Sequence, residues 1–302
     1  RAATRMGRTE RRFDAATPEL NLQLPDGSRL FATMEVSARP SLVIRRHRFE
    51  ISTLNELRLR GLFNETLEDF FAAAVSAKRN IVIAGGTGSG KTTLLRALIN
   101  EVSASERIVT IEDAYELGLD RFEDLHPDHD ALQSRPANIE GRGEITLADL
   151  TRMALRMDPD RVIVGEVRGA EAFPMLMAMS QGNNGSMCTM HADSTRSVFP
   201  KLAAYVSMAS TGLPVETVNL LVASAIHFVV YIDNTDSIRR VTSVREVVDS
   251  EGSIIVSNEI FHLNTEDGLV TGFPLREHTR KLLAAHGLGT RISSVQKIEN
   301  AS

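Results

Sequence analysis

Residues 85–92, Gly85-Gly86-Thr87-Gly88-Ser89-Gly90-Lys91-Thr92, match the pattern G-x-x-x-x-G-K-[ST] at every position. The chemistry this spacing permits is the capture of a phosphate chain. Glycines let successive backbone N–H groups close on phosphate oxygens, and a helix that starts at the loop adds its positive end. In such a loop Lys91 reaches the β- and γ-phosphates of a nucleoside triphosphate, and the Thr92 hydroxyl holds Mg²⁺. As a loop residue, Lys91 is expected at the surface. A glycine-rich turn that binds nothing is the plainer alternative. Two features weigh against it: the Lys-Thr pair at the right offsets and the apolar run Ile81 to Ala84 in front.

These residues need a scaffold, and the scaffold is legible. Ile81-Val82-Ile83-Ala84 reads as a buried parallel strand and Leu94 to Ile99 as a helix. From 80 to 200 strand and helix patterns alternate, the signature of an α/β fold with a parallel sheet. In such sheets ligands bind beyond the carboxyl ends of the strands. Here the first strand ends in the phosphate loop, and Ile108 to Ile111 ends in Glu112-Asp113. Arg161 to Val164 ends in Gly165-Glu166, and Met187 to Met190 ends in His191. If these strands are neighbours, two acids and an imidazole converge on the γ-phosphate. A carboxylate there orients and polarises an attacking water, a second supplies oxygen to Mg²⁺, and an imidazole senses the γ-phosphate. Each has a structural alternative: helix-start acids for Glu112-Asp113, a surface ion pair with Arg168 for Glu166, and a structural role for His191. The remaining histidines carry no assigned role.

Bulk composition narrows the class. The chain has 302 residues, 42% hydrophobic and 24% charged, ordinary for a globular protein and enough for one large domain and a small one. The net charge of -5 argues against a dedicated nucleic-acid binder. Arg1, Arg5, Arg8, Arg11 and Arg12 crowd the start, as a solvated tail or a contact to acidic lipid or a partner. One cysteine, Cys188, excludes intrachain disulfides and a C-x-x-C zinc module, and points to a reducing compartment. No apolar run approaches the ~18 residues of a membrane helix. The segment Leu220 to Ile232 reads as a buried helix running into a strand. A start at Arg1 reads as a fragment of something longer.

Before the α/β region, Leu20 to Leu24, Arg29 to Val36 and Ser41 to Arg45 read as strands, with a turn at Pro25-Asp26-Gly27-Ser28. So small a set must pair with upstream sequence or pack on the α/β region downstream of it. A linker is expected near Phe49 to Ser52, then helices carrying Leu54, Leu57 and Leu67 to Ala77. After residue 230, strands are expected at Val230 to Ile232, Val241 to Val248 and Ile254 to Leu263. Turn clusters at 233–236 and 249–252 separate them. A helix over Arg276 to Ala285, capped by Gly287, closes the pattern. Residues His126 to Asp130 read as a small charged insertion without assignment.

Taken in order, Gly85 to Thr93, Ile108 to Asp113, Asp160 to Gly169 and Gly185 to Ala192 resemble the Walker A, Asp, Walker B and His boxes of the secretion superfamily of ATPases. That family drives type II and type IV secretion and type IV filament assembly. The segments Arg135 to Thr146 and Leu22 to Leu30, followed by Ile44-Arg45-Arg46, are similar to the Tad (tight adherence, or Flp) pilus ATPases, the TadA/CpaF group. The likeness runs from about Glu19 to Phe261. It implies an α/β, RecA-like ATPase domain over 51–302 and a small, truncated β-rich (α+β) N-terminal domain over 1–50, with ATP bound between them. It implies a homo-hexameric ring, peripheral on the cytoplasmic face of the cell membrane, acting on an inner-membrane platform protein. By position, Gly86, Thr87, Gly88, Ser89, Gly90, Lys91, Thr92 and Thr93 bind ATP, and Thr92 and Glu166 hold Mg²⁺. Lys91, Glu112, Glu166 and His191 are the catalytic set: Glu112 polarises water, Glu166 is the Walker B acid, and His191 reads the γ-phosphate. Arg29 and Arg45, with Arg46 as second choice, close over the nucleotide, unless they form a solvated strand face. The usual Walker B aspartate is absent at Gly165-Glu166, so the division of labour between Glu112 and Glu166 is open.

Two other functions fit a phosphate loop. A RecA-like nucleic-acid translocase needs a basic pore or stacking aromatics. Aromatic content of 5%, no Trp and an acidic balance count against it, and no stable nucleic-acid binding is expected. A small-molecule kinase needs an acceptor pocket that no motif suggests. The missing C-x-x-C module favours the Tad or type IV secretion branch over type II assembly ATPases.

Overall fold

The computed structural model describes residues 12–46, 52–122, 124–264 and 268–289. Its chain builds two sheets. Three antiparallel strands, β1 (Glu19–Gln23), β2 (Arg29–Thr33) and β3 (Ser41–Arg45), make the smaller one, in order β1-β2-β3. Leu20, Leu22 and Ala32 on alternate positions form its small core with Phe13 and Leu30. The β1–β2 turn is fixed by Asp26, whose Oδ1 accepts from Ser28 N at 2.9 Å.

The larger sheet contains β4 (Ile81–Gly85), β5 (Ile108–Glu112), β6 (His129–Gln133), β7 (Arg161–Val167), β8 (Met187–His191), β9 (Phe228–Thr235), β10 (Ile238–Glu251), β11 (Ile254–Asn264) and β12 (Gly268–Thr271). Their spatial order is β12-β11-β10-β9-β4-β8-β7-β5-β6. The run from β9 to β6 is parallel and β9 to β12 is an antiparallel meander. The four strands expected to carry chemistry are therefore contiguous, as β4-β8-β7-β5.

Period-two alternation sends neighbouring residues to opposite layers. Ile81, Ile83 and Ile163 pack with α1 (Leu54–Leu59), α2 (Glu65–Ser76), α3 (Lys91–Ile99) and α8 (Glu277–Ala285). Val82, Ala84, Val162 and Val164 pack with α4 (Leu147–Ala154), α5 (Ala172–Ser180), α6 (Val198–Met208) and α7 (Val215–Ala225). Such a sheet is covered on both faces, which is why its central strands read as unbroken apolar runs. Phe70 anchors the first layer edge-to-face against Phe71, Phe228 and Phe261, with ring centroids 5.7, 4.9 and 5.5 Å away. Side-chain caps start several helices: Thr53 for α1, Asn64 for α2, and the Thr146–Asp149 capping box for α4.

Several expectations shift at their ends. β2 stops at Thr33, not Val36, because Glu35 takes φ 63° and breaks the extended run. The turn expected over 233–236 is narrower: Asp236 and Ser237, both with positive φ, make a two-residue hairpin turn, and pairing absorbs the polar residues on either side. Pairing likewise carries β10 through 249–251. The insertion at His126 to Asp130 leads into β6, an edge strand parallel to β5. Its charge is matched by Arg107, which pairs with both Asp128 and Asp130. The expected linker falls mostly on 47–51, and the basic run Arg1 to Arg12 falls, but for Arg12, on 1–11, both stretches outside the described residues; Arg12 pairs with Asp14. Among the described residues no helix is long and apolar enough to cross a membrane.

Candidate functional site

β4 is buried along its whole length between β8 and β9 and delivers the loop at its carboxyl end. Gly85 is where the loop leaves the strand. A Cβ there would lie 2.5 Å from the Ile232 carbonyl and 2.6 Å from Ser89 Oγ, so a side chain would push the loop off β9. Gly90, at φ 100°, precedes α3 and has no side chain to cap the helix. The first N–H groups of α3 are left for a ligand, and the helix dipole makes that ligand an anion. Lys91 is not at the surface as its loop position suggested. It is the first residue of α3 and 7% exposed. Its Nζ donates to the carbonyls of Gly85 (3.1 Å) and Gly86 (2.8 Å). Burial lowers its pKa, and the nearby Glu166 charge acts the other way.

Glu112 is the last residue of β5 and is almost fully buried. Its Oε1 accepts from the backbone N–H groups of Glu116 (2.8 Å) and Leu117 (2.9 Å). Burial pushes its pKa up to about 7, against those two bonds and the Arg96 charge. Gly165 lies beside it: a Cβ there would stand 3.1 Å from Glu112 Cγ.

Glu166 does not follow the end of its strand as expected. β7 continues to Val167, and its pairing with β8 shifts register between Val164 and Val167. A bulge of this kind bends the strand and re-aims the side chain. Glu166 Oε1 lies 2.7 Å from His191 Nε2, and its Oε2 is 3.8 Å from Arg168 Nε. Arg168 also pairs with Asp113. Thr189 Oγ1 donates to the Gly165 carbonyl at 2.6 Å, holding the bulge against β8.

These groups line one cleft of roughly 330 Å³. Thr87, Gly88, Gly90, Lys91, Thr92 and Thr93 form one wall, and Glu112, Glu166 and His191 another. Gly86 and Ser89 are not in the cleft wall; Ser89 is buried beneath the loop, its hydroxyl without a hydrogen-bond partner. The small sheet supplies Arg29, Arg45 and Arg46. Arg29 Nη2 pairs with Glu116 Oε1 at 2.9 Å. Two cations of the cleft escaped the sequence reading, Arg96 and Arg239. Arg96 stands four residues after Thr92 on α3, and that spacing was the available signal. Arg239 comes from the β9–β10 hairpin, and its Cδ lies 3.6 Å from where a Gly90 Cβ would be. No local motif marks it. Six cationic side chains against four carboxylates leave the cleft suited to a polyanion.

A family model described as "Type II/IV secretion system protein" matches residues 4–249. A Mycobacterium tuberculosis protein named for conjugal transfer is 34% identical over 253 residues, covering 81% of this chain and 70% of that protein. The type IV secretion system protein VirB11 of Brucella suis is 39% identical over 168 residues, 55% of this chain and 45% of its own length. The crystal structure of the Brucella suis VirB11 ATPase in complex with sulphate superposes with a TM-score of 0.52 at 30% identity, covering 78% of this chain and 75% of that one. The chain thus spans less than half of one curated relative and about two thirds of another.

Proposed function

From its membership of the type II/IV secretion system protein family, we propose that this chain hydrolyses ATP as a subunit of a secretion or pilus-assembly motor. The observation that carries the reading is one of position. Glu112, Glu166 and His191 come from the adjacent strands β5, β7 and β8 and line the same cleft as Lys91 and Thr92.

The phosphate chain of ATP lies along the loop, held by the N–H groups at the start of α3, with Lys91 exchanging its two carbonyl partners for phosphate oxygens. When bound with ATP, Mg²⁺ would neutralise phosphate charge. Hard oxygen donors suit it, and Thr92 and Glu166 are the ones to hold it. Among the described residues no cluster of three His, Cys, Asp or Glu forms a dedicated metal cage.

The different environments of the two acids support a division of labour. Glu112 is buried with a pKa near neutrality, the condition for a general base at pH 7. It orients the attacking water and takes its proton. The water oxygen bonds to the γ-phosphorus, and the bridging oxygen leaves with ADP. Glu166, half-buried and bonded to His191, serves the cation, and His191 reads the γ-phosphate. Arg29 and Arg45 close the cleft from the small sheet. A division of the chain near residue 50, which the two separate sheets support, would let ATP binding act as a lever between two bodies. The proposed assembly is a homo-hexamer on the cytoplasmic face of a membrane, pushing on a platform protein. The Tad/Flp branch rests on the segments 22–30 and 135–146. The sulphate in the Brucella VirB11 structure is the class of anion a phosphate loop takes.

The test is ATP turnover with and without Mg²⁺, together with particle mass with and without ATP. Lys91→Ala is expected to lose turnover entirely. Because Lys91 is buried, thermal unfolding of the variant is run alongside. A folded Lys91→Ala protein with full activity overturns the assignment.

A further inference from the structure

The small sheet rests on the large one at a particular place. Gln23 Nε2, at the end of β1, donates to the Tyr115 carbonyl at 3.3 Å. Gln133 Nε2, at the end of β6, donates to Gln23 Oε1 (3.0 Å) and to the Asp113 carbonyl (3.1 Å). Arg29 on β2 pairs with Glu116, and Arg121 Nη2 donates to the Asp26 carbonyl at 3.2 Å. These contacts converge on the loop after β5. Ser134 Oγ holds Asp113 Oδ1 at 2.9 Å, and Arg96 Nη2 donates to the Glu116 carbonyl.

The same loop is fastened at its other side by Glu112 itself. Both N–H groups that Glu112 Oε1 accepts, from Glu116 and Leu117, belong to it. A carboxylate held by two N–H donors on one oxygen has its rotation set by those donors, which leaves its second oxygen for the cleft that Glu112 lines. Beside Glu112, Gly165 has room for hydrogen only, since a Cβ there would stand 3.1 Å from Glu112 Cγ. Any displacement of the loop therefore passes to the carboxylate.

We propose that residues 113–117 are the mechanical link through which the small N-terminal sheet orients the Glu112 carboxylate, with Gln23, Gln133 and Glu116 as positioning residues. The inference rests on the reading of Glu112 as the hydrolytic carboxylate. In it the small sheet does more than close over the nucleotide: its approach aligns the base, and its withdrawal disarms it. Hydrolysis is thereby tied to the closed arrangement without any change in how tightly the phosphate loop binds.

The test compares Gln23→Ala, Gln133→Ala and Glu116→Gln in the full chain, with Glu112→Gln as a reference. Loosening the link at any of these positions lowers kcat about three- to tenfold. For Gln23→Ala and Gln133→Ala the dissociation constant for a fluorescent ATP analogue is expected to change less than twofold. Amide hydrogen exchange in the nucleotide-free protein supplies a readout independent of turnover: the Glu116 and Leu117 amides lose protection in Gln23→Ala. On a Glu112→Gln background, Gln23→Ala costs no further activity, since both act through one carboxylate. Losses that multiply on that background, unchanged protection of those amides, or weakened ATP binding in place of slowed turnover each overturn the link. Full turnover in Glu112→Gln alone overturns instead the underlying reading of Glu112.

Discussion

Glu112→Gln separates the function of this residue from its effect on stability, and the two are expected to move in opposite directions. Burial raises the Glu112 carboxyl from 4.5 to about 7. Between these values the folded protein keeps a proton that the unfolded chain has released, so stability falls as pH rises across the window and levels off above pH 7. At 1.36 kcal/mol per pH unit, ionising Glu112 in the fold costs about 3 kcal/mol at pH 8. Glutamine keeps an oxygen to accept from the Glu116 and Leu117 N–H groups and carries no charge to desolvate. The nucleotide-free variant is therefore expected to be more stable than the parent at pH 8, by up to about 3 kcal/mol. At pH 5 the two should be nearly equal. Urea unfolding midpoints of both proteins at pH 5, 6.5 and 8 give the comparison directly. ATP turnover of the variant should fall by about 10²–10³, the size of one lost transition-state interaction. Parent turnover should rise as pH passes through 7 and Glu112 ionises. A variant less stable than the parent at pH 8, or a stability difference independent of pH, refutes the argument that Glu112 is strained by desolvation.

Other outcomes rest on single contacts. Gly165→Ala places a Cβ 3.1 Å from Glu112 Cγ; the carboxylate must yield, and turnover measured at saturating ATP should drop about tenfold or more with little change in melting temperature. Arg239→Ala removes a cation from the phosphate-loop side of the cleft; ATP affinity by equilibrium titration should weaken about fivefold to tenfold, with the salt dependence of binding reduced. Phe70→Ala removes the ring that meets Phe71, Phe228 and Phe261; denaturant unfolding should show a loss of about 3–5 kcal/mol.

Much of this molecule is written locally. The phosphate loop, the strand before it and the helix after it depend on neighbours in sequence, and Gly85 to Thr92 takes the conformation its spacing implies. Unbroken apolar runs such as Ile81 to Ala84 are a consequence of burial on both faces, so the parallel sheet was legible. Strand ends carrying Glu112 and His191 were legible for the same reason. Other features depend on partners far along the chain. The bulge that turns Glu166 toward His191 arises from pairing between β7 and β8. Residues 129–133 form a strand because β5 offers an edge, and Arg107 meets Asp128 and Asp130 at its start. Arg239 enters the cleft because β9 lies beside β4. Sequence alone determined that a glycine loop, Glu112 and an imidazole stand at strand ends, since hydrophobic periodicity and glycine sterics act over a few residues. Tertiary structure alone decided their protonation and mutual aim. Burial sets the pKa of Glu112, and the contacts of Gln23, Arg29 and Gln133 hold its loop. Both depend on surfaces that meet only once the chain has folded.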